Sequence, residues 1–280
     1  MLKLDARLTP ARGDLAASHL KGKVEATRFV EGRLMTVHVG ITALRAAAQA
    51  RSRLETQLFF GERFTVYDVS DGWAWGQSDL DNYVGYVDPR ALSEENLNAT
   101  HRVTAVFTQV YERADVKAPA LLHLPMNAKL AVEPGEGKFA ALASDGFVPR
   151  VHIAPLEKAA ADFVSVAEEL LGVPYLWGGR APDGIDCSGL VQTALERTCI
   201  YAPRDSDLQE TALGEAIEHG TSRLKRGDLV FWGDHVGIMS DERTLLHANS
   251  HHMKVAMEPL QTVIARAAAL GNAVTSVRRF

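Results

Sequence analysis

The feature that most constrains the fold is a glycine- and proline-rich loop, residues 175–190, which runs into Cys187 and then into a segment with helical periodicity. The apolar residues after the cysteine are Leu190, Val191, Ala194 and Leu195. Their spacing is that of one face of an α-helix, so the cysteine is predicted at a helix N-terminus. There the helix dipole and unpaired backbone N–H groups favour a thiolate. Cys187 is therefore a candidate nucleophile, and a buried structural cysteine is the alternative.

The composition narrows the class of protein. The net charge of −5 over 280 residues argues against nucleic acid as the main partner. No window approaches the roughly twenty uncharged apolar residues of a membrane-spanning helix, so no membrane span is expected. The first ten residues lack the apolar core of a signal peptide, and a cytoplasmic location is expected for the chain as given, unless a leader was removed.

The two cysteines, Cys187 and Cys199, are not expected to form a disulfide. On one helix they would lie roughly 18 Å apart at about 1.5 Å rise per residue. A disulfide needs Cα atoms within about 7 Å of each other. Both are therefore predicted to be free thiols, which suits a reducing compartment, and Cys199 is interpreted as a small apolar residue.

The N-terminal half is predicted to form an arm followed by short strands. Residues 1–34 are polar, with short helical potential over residues 14–23, and are expected to pack over the next domain. Residues 35–95 carry short strands separated by turns, which favours a small barrel. The predicted strands are residues 35–39, 57–60, 63–67, 73–75 and 83–87. A fainter copy of this pattern occupies residues 96–155, and a helical pattern then opens a domain over residues 156–280.

Two histidines lie on a predicted hairpin, with strands over residues 235–239 and 244–249. If the loop is residues 241–243, His235 and His247 share a face as diagonal neighbours; if it is residues 240–242, they lie directly opposite. A two-residue loop would place them on opposite faces. On a shared face, the first imidazole could take the Cys187 proton and return it to a leaving amine, while the second holds the first in orientation.

Four motifs, in this order, resemble those of the NlpC-type cell-wall cysteine peptidases, which have a papain-like α+β fold. They are Asp186-Cys-Ser-Gly-Leu190, Arg226-Gly-Asp-Leu229, His235-Val-Gly-Ile238 and Leu246-His-Ala248. The resemblance implies that Cys187 is the nucleophile, His235 the base and His247 the orienting third member. The backbone N–H of Cys187, with a neighbouring side chain, would then stabilise the oxyanion. No metal or other cofactor is implied.

The preceding strands resemble bacterial SH3-like domains. The resemblance rests on Gly61-Glu62, Asp71-Gly-Trp73 and Tyr83-Val-Gly-Tyr-Val87. It implies an α+β papain-like catalytic domain preceded by two small all-β SH3-like barrels, at residues 35–95 and 96–155, the second interpreted as a spacer. Of the four aromatic residues of the first barrel, Trp73, Trp75, Tyr83 and Tyr86, two are expected to be core.

This arrangement as a whole resembles the dipeptidyl-peptidase VI type. Members are intracellular endopeptidases that cut the γ-D-glutamyl–diamino acid bond of murein peptides, L-Ala-γ-D-Glu-diamino acid, with a free N-terminal L-Ala. The resemblance implies a role in cell-wall peptide turnover or recycling, and eight substrate-binding residues. These are Glu62, Tyr83, Tyr175, Trp177, Asp186, Ser188, Asp205 and Ser206. Asp205 and Glu62 would bind the substrate ammonium, with Tyr86 or Trp75 as alternatives to Tyr83.

Three other interpretations remain open. The histidines at 247, 251 and 252 could indicate a zinc hydrolase, but no glutamate-containing helical motif accompanies them. The chain could be a non-catalytic wall-binding protein that works through its SH3-like modules. It could also be an acyltransferase or amidase on the same papain-like core.

Overall fold

The computed structural model describes residues 4–218 and 220–280, so the first three residues of the predicted arm lie outside it. The chain divides into two compact units, Met1–Leu156 and Glu157–Phe280. None of the helices described combines the length and the apolar character that spanning a bilayer requires.

The first unit is built from short β-strands. They are β1 (Ala11–Arg12), β2 (Leu15–Ala17), β3 (Arg28–Val30), β4 (Arg33–Val37), β5 (Ile41–Arg45), β6 (Leu54–Phe59), β7 (Arg63–Ser70), β8 (Trp73–Ser78), β9 (Val84–Val87), β10 (Leu92–Ser93), β11 (His101–Val103), β12 (Phe107–Tyr111), β13 (Ala120–Pro125), β14 (Lys129–Leu130), β15 (Phe139–Ala141), β16 (Phe147–Pro149) and β17 (Ile153–Pro155).

The N-terminal arm is a small sheet, and the helical potential predicted for residues 14–23 is wrong. Strand β2 pairs with β1 on one side and β3 on the other, and a 3₁₀ turn follows at Ser18–Leu20. All three residues of β2 are fully buried, which a strand paired on both edges permits and a surface helix does not. The arm packs on the strands that follow, as expected: the Val84 N–H donates to the Arg7 carbonyl, and the Gln77 amide donates to the Leu8 carbonyl.

The strands of residues 35–95 form one sheet in the order β10-β4-β7-β8-β9-β5-β6. Its core includes Val37, Leu44, Phe64 and Val87, each fully buried. Strand β5 is absent from the sequence-based prediction because Ile41–Arg45 runs directly into an alanine-rich stretch, residues 46–50, which has helical propensity. Two of the four barrel aromatics, Trp75 and Tyr83, are buried, and Trp73 and Tyr86 are half-buried, as expected.

The pairing of strands in the first sheet occurs again further along the unit. Strand β5 pairs with β6 and β9, and β8 with β9; in the same way β12 pairs with β13 and β16, and β15 with β16. The registers agree as well, since Ala74 lies opposite Val87 and Ala140 opposite Val148. The two halves of this unit therefore share a strand arrangement despite the difference in aromatic content.

The second unit combines helices with an antiparallel sheet. Its helices are α1 (Phe163–Glu168), α2 (Cys187–Arg197), α3 (Ser206–Ala212) and α4 (Leu260–Ala268). Its strands are β18 (Arg180–Ala181), β19 (Gly184–Ile185), β20 (Glu215–Ala216), β21 (Leu229–Trp232), β22 (His235–Met239), β23 (Thr244–Asn249), β24 (Lys254–Pro259) and β25 (Val274–Arg279). The main sheet has the order β20-β25-β21-β22-β23-β24. Helix α2 is almost wholly buried and packs on β22 and β23.

Candidate active site

Cys187 is the first residue of α2, as the sequence predicts. Asp186 caps the helix, with its Oδ1 accepting from the Gly189 N–H at 2.7 Å. A Cβ at Gly189 would lie 2.2 Å from the Gly179 carbonyl oxygen. Glycine at this position therefore lets the first turn of the helix lie directly against the preceding loop.

A buried arginine holds this turn in place. Arg204 is 1% exposed, and its two terminal nitrogens donate to the two Asp186 oxygens at 3.0 and 2.7 Å. Arg204 also donates to Ser188 Oγ at 2.9 Å, and Ser188 Oγ donates to Asp186 Oδ1 at 3.2 Å. Asp186 additionally accepts from the Gly178 N–H. The side chains of Asp186 and Ser188 are thus committed to a buried network around the cysteine.

The histidine hairpin takes the first of the three registers considered. Ile238 lies opposite Leu246 and Met239 opposite Leu245, which makes residues 241–243 the loop. His235 and His247 therefore share a face as diagonal neighbours, and Nε2 of His235 lies 2.8 Å from Nδ1 of His247. The predicted shared face is confirmed, and the two rings are hydrogen-bonded to each other.

The hydrogen bonds continue beyond His247 to a carboxylate that the sequence analysis missed. Nε2 of His247 lies 2.8 Å from Oε1 of Glu258 on β24. Arg266 on α4 donates to both oxygens of Glu258, at 2.6 and 2.9 Å. Glu258 lies opposite Leu245, and hence diagonal to His247. Extending the strand alternation one strand further would have found it, but the β23–β24 turn carries no distinctive signal.

Burial sets the protonation of the cysteine and of the histidine beside it. The pKa of Cys187 is raised to about 12, chiefly by burial and also by the Asp186 charge, while the backbone N–H groups of Val236 and Ser188 and the charge of Arg204 act in the opposite direction. The prediction that the helix N-terminus makes Cys187 a thiolate is therefore wrong for the substrate-free protein, because loss of solvation outweighs the backbone donors. The interaction with the Val236 N–H places the sulfur beside the start of β22, next to His235.

His235 is likewise neutral. Burial lowers its pKa to about 3, and the neighbouring His247 and Arg266 act in the same direction. Trp232 lies opposite it in the sheet, with ring centroids 5.6 Å apart, and supplies an apolar wall. Burial also lowers the pKa of His247, although the hydrogen bond to Glu258 acts in the opposite direction. The resting site thus holds a neutral thiol and two neutral imidazoles.

Tyr175 and Trp177 lie in the loop before Cys187. Burial raises the pKa of the Tyr175 hydroxyl, and the nearby Cys187 and Asp186 raise it further. This phenol is therefore a neutral hydrogen-bond donor in electrostatic contact with the thiol. Trp177 is 57% exposed, so its indole presents a large open face to solvent.

Asp205 and Ser206 lie at the start of α3, where both are half-buried. The Asp205 carboxylate makes no capping bond to its own helix. Arg204 precedes it directly, so the buried arginine network fixes the chain that carries both residues.

Glu62 and Tyr83, in the first unit, have structural contacts there. Glu62 is 1% exposed, and its Oε2 accepts from the Phe59 N–H at 2.9 Å, which stabilises the turn after β6. Tyr83 belongs to the core cluster of the first sheet. These contacts are those expected of structural residues, and the substrate-binding role stays a prediction.

Neither cysteine forms a disulfide, as predicted. Cys199, interpreted from the sequence as a small apolar residue, does not lie in the core. It is exposed and has a φ of 59°. Helix α2 ends at Arg197, and the left-handed turn that follows carries Cys199 away from the apolar face of the helix.

Taken together, a buried cysteine at a helix N-terminus beside a hydrogen-bonded histidine pair defines a papain-like cysteine peptidase domain. Comparison with known families agrees, since residues 172–272 match the NlpC/P60 family. Residues 44–92 match the bacterial dipeptidyl-peptidase Sh3 domain. The second unit therefore contains an NlpC/P60 cysteine peptidase domain, and a bacterial dipeptidyl-peptidase Sh3 domain precedes it in the chain.

Two relatives and one solved structure are similar to most of the chain. A γ-D-glutamyl-L-lysine dipeptidyl-peptidase of Bacillus cereus is 26% identical over 242 residues, covering 75% of this chain and 72% of the relative. One of the same name from Bacillus subtilis is 26% identical, covering 70% and 72%. The crystal structure of an NlpC/P60 family protein from Bacillus cereus superimposes with a TM-score of 0.74 at 20% identity, covering 88% of this chain and 99% of that one.

Proposed function

We propose that this peptidase hydrolyses the γ-D-glutamyl–diamino acid bond of murein peptides that carry a free N-terminal L-Ala, in cell-wall peptide turnover or recycling. The observation that carries the proposal is the hydrogen bond between His235 and His247 beside the buried Cys187. The names of the two Bacillus relatives, γ-D-glutamyl-L-lysine dipeptidyl-peptidase, support the choice of bond.

The reaction begins with proton transfer from the Cys187 thiol to His235, as the sulfur attacks the γ-carbonyl of the glutamyl residue. A carbon–sulfur bond forms, and His235 returns the proton to the leaving amine as the carbon–nitrogen bond breaks. Water then attacks the thioester, gives one proton to His235, and releases L-Ala-D-Glu while the thiol regains its proton. His247 holds the His235 ring through both steps.

The oxyanion of the tetrahedral intermediate needs donors that remain neutral and fixed. The Cys187 backbone N–H lies in the first turn of α2, where it has no partner within the helix. The Tyr175 hydroxyl, kept protonated by burial, is the neighbouring side chain proposed as the second donor. Both groups lie on elements fixed by the Asp186 network.

The substrate-binding residues proposed are Glu62, Tyr83, Tyr175, Trp177, Asp205 and Ser206. Asp205, half-buried at the start of α3, is proposed as the main carboxylate for the substrate ammonium, since Glu62 is only 1% exposed. Asp186 and Ser188, in contrast, are proposed to shape the cleft through their buried hydrogen bonds instead of touching substrate. This changes the role that the resemblance implied for them.

The repeated strand pairing supports a second SH3-like barrel at residues 96–155, after the first at residues 35–95. Its registers match those of the first at Ala140 and Val148, although Trp75 of the first barrel has Ala141 as its counterpart. Without the aromatic cluster, this module is proposed to act as a spacer. In this division residues 156–280 form the catalytic domain. We propose that the peptidase acts in the cytoplasm.

The test is product analysis by mass spectrometry with two murein tripeptides, one with a free amine and one N-acetylated, each made with L-Lys and with diaminopimelate. We expect the free-amine peptides to yield L-Ala-D-Glu and the free diamino acid, and acetylation to block cleavage. Cys187→Ala should release nothing, whereas Cys199→Ala should match the wild type.

Each other outcome has a distinct meaning. Equal cleavage of both peptides would remove the role of Asp205 and Glu62 in binding the amine. Transfer of the L-Ala-D-Glu group to an added amine in preference to water would indicate an acyltransferase. Binding without turnover would leave a wall-binding protein, and loss of activity to a chelator alone would indicate a metal hydrolase.

A further inference from the structure

Behind the two histidines lies a carboxylate that the proposed mechanism does not use. Glu258 is joined to His247 at 2.8 Å and is held by two hydrogen bonds from Arg266. His252 also approaches it, with Nε2 at 3.3 Å from Oε1. The side chain of His247 is 1% exposed and that of Glu258 is 10% exposed, so water has little access to the bond between them.

The charge of Glu258 is fixed by its neighbours. The hydrogen bonds from Arg266 lower the pKa of Glu258 to about 2, and burial opposes this only in part. Glu258 is therefore ionised at neutral pH, and an ionised carboxylate can only accept hydrogen bonds. The proton between Glu258 and His247 must then be carried by Nε2 of His247.

The position of the proton on His247 determines the position of the proton on His235. A neutral imidazole carries one proton, so a His247 protonated at Nε2 has a bare Nδ1 that can only accept. The partner of that Nδ1 is Nε2 of His235, at 2.8 Å, which must then be the donor. A neutral His235 with its proton on Nε2 has an unprotonated Nδ1, the nitrogen left for the thiol.

We propose that Glu258 is a positioning residue of this site: it sets the tautomers of His247 and His235 in turn, so that Nδ1 of His235 is free to take the Cys187 proton. The inference rests on the proposed function for its catalytic meaning. When His235 becomes an imidazolium, its Nε2 proton still faces an acceptor, and the carboxylate further along the same hydrogen-bonded series stabilises the charge. Without Glu258, nothing in this series selects one tautomer over the other.

The test uses Glu258→Gln, which keeps the volume but removes the charge and leaves a donor against Arg266. Glu242→Gln, in the exposed loop of the same hairpin, is the matched control. Nitrogen-15 NMR of the imidazoles in the wild type should show both His235 and His247 protonated at Nε2 only. In Glu258→Gln the single tautomer should be lost, while Glu242→Gln should match the wild type.

Kinetics supply the second readout. Glu258→Gln should lower kcat by about tenfold or more with KM little changed, because an altered tautomer blocks proton transfer and leaves substrate binding intact. A wild type inactive on murein peptides would refute the proposed function, and the tautomer would still be measured.

Two results would overturn the inference. One is a wild-type His235 that carries its proton on Nδ1 at neutral pH, a measurement that needs no variant and so is independent of whether Glu258→Gln folds. The other is a folded Glu258→Gln whose imidazole spectrum matches that of Glu242→Gln and whose kcat lies within about twofold of the Glu242→Gln value.

Discussion

Arg204 and Asp186 form a buried ion pair in which both terminal nitrogens of the arginine donate to the carboxylate that caps the nucleophile helix. Asp186 directly precedes Cys187 and Arg204 lies just before α3, so the pair joins the loop before the cysteine to the start of α3. The position of the nucleophile therefore depends on a charged pair that is almost free of solvent. Its removal should affect stability and activity together.

Arg204→Gln should destabilise the catalytic unit by about 3–5 kcal/mol, because it leaves the Asp186 carboxylate buried without its cation. The measurement is the opening free energy of the α2 amides by hydrogen exchange and mass spectrometry. Arg243→Gln, at an exposed position in the β22–β23 loop, should change it by less than about 0.5 kcal/mol. Equal, small changes in both variants would show that the ion pair does not hold the helix start.

Cys187 and Cys199 should differ sharply in their contribution to turnover. Cys187→Ala removes the nucleophile and should lower kcat by about a thousandfold or more. Cys199→Ala should leave kcat within about twofold, since Cys199 lies beyond the end of α2 and is exposed. Peptide hydrolysis by purified variants measures both, and substantial turnover by Cys187→Ala would contradict the assignment of the nucleophile.

The pH dependence of Cys187 alkylation follows from its burial. The thiol is protonated below its pKa of about 12, so the reactive thiolate fraction increases with pH. In Cys199→Ala, inactivation by iodoacetamide should rise about tenfold per pH unit between about pH 7 and 10. A rate that is high and constant from about pH 6 to 8 would instead show a thiolate–imidazolium pair in the resting protein.

The pKa of His235 gives a related expectation for catalysis. Burial lowers this pKa to about 3, so the ring is already neutral, and able to act as a base, throughout the weakly acidic range. The plot of kcat/KM against pH should therefore show no loss of activity near pH 6.5, the ordinary pKa of histidine. A fall in kcat/KM centred there, at a pH where the peptide's own groups do not titrate, would mean that His235 titrates normally.

The N-terminal arm contributes to the first barrel through Arg12. Its guanidinium lies 4.6 Å from the Trp75 ring centroid and pairs with Asp68. Arg12→Met should lower the stability of the first unit by about 1–2 kcal/mol through loss of the cation–π contact and of the ion pair. Arg28→Met provides the control, since Arg28 is more exposed and its closest approach to Asp68 is 3.5 Å. Urea unfolding followed by tryptophan fluorescence should separate the two variants.

The parts of the site that could be predicted from the sequence are those fixed by local geometry. The start of α2 follows from the Asp186 cap and the apolar spacing after Cys187, and the shared face of His235 and His247 follows from strand alternation and a three-residue loop. Neither depends on how distant elements pack. This is why the start of α2 and the shared face of the histidines could be predicted from local patterns, whereas the fold class was predicted from the resemblance of the four motifs to a known family.

The rest depends on tertiary packing. The neutral state of Cys187 comes from burial that no local pattern encodes, and it reverses the effect expected of the helix N-terminus. Arg204, from the segment before α3, and Glu258, from β24, reach the site through contacts between elements, and the alanine run after β5 has the composition of a helix. Local propensity could not have identified any of these features.

The most direct test of the central claim is to trap the acyl group on the protein. An activated L-alanyl-γ-D-glutamyl ester should acylate the enzyme faster than water releases it, so that acid quenching and peptide mapping by mass spectrometry capture the intermediate. The account predicts one L-alanyl-γ-D-glutamyl group on the peptide that contains Cys187, and none in Cys187→Ala. Turnover of the ester with no adduct at Cys187, or equal turnover by Cys187→Ala, would contradict it.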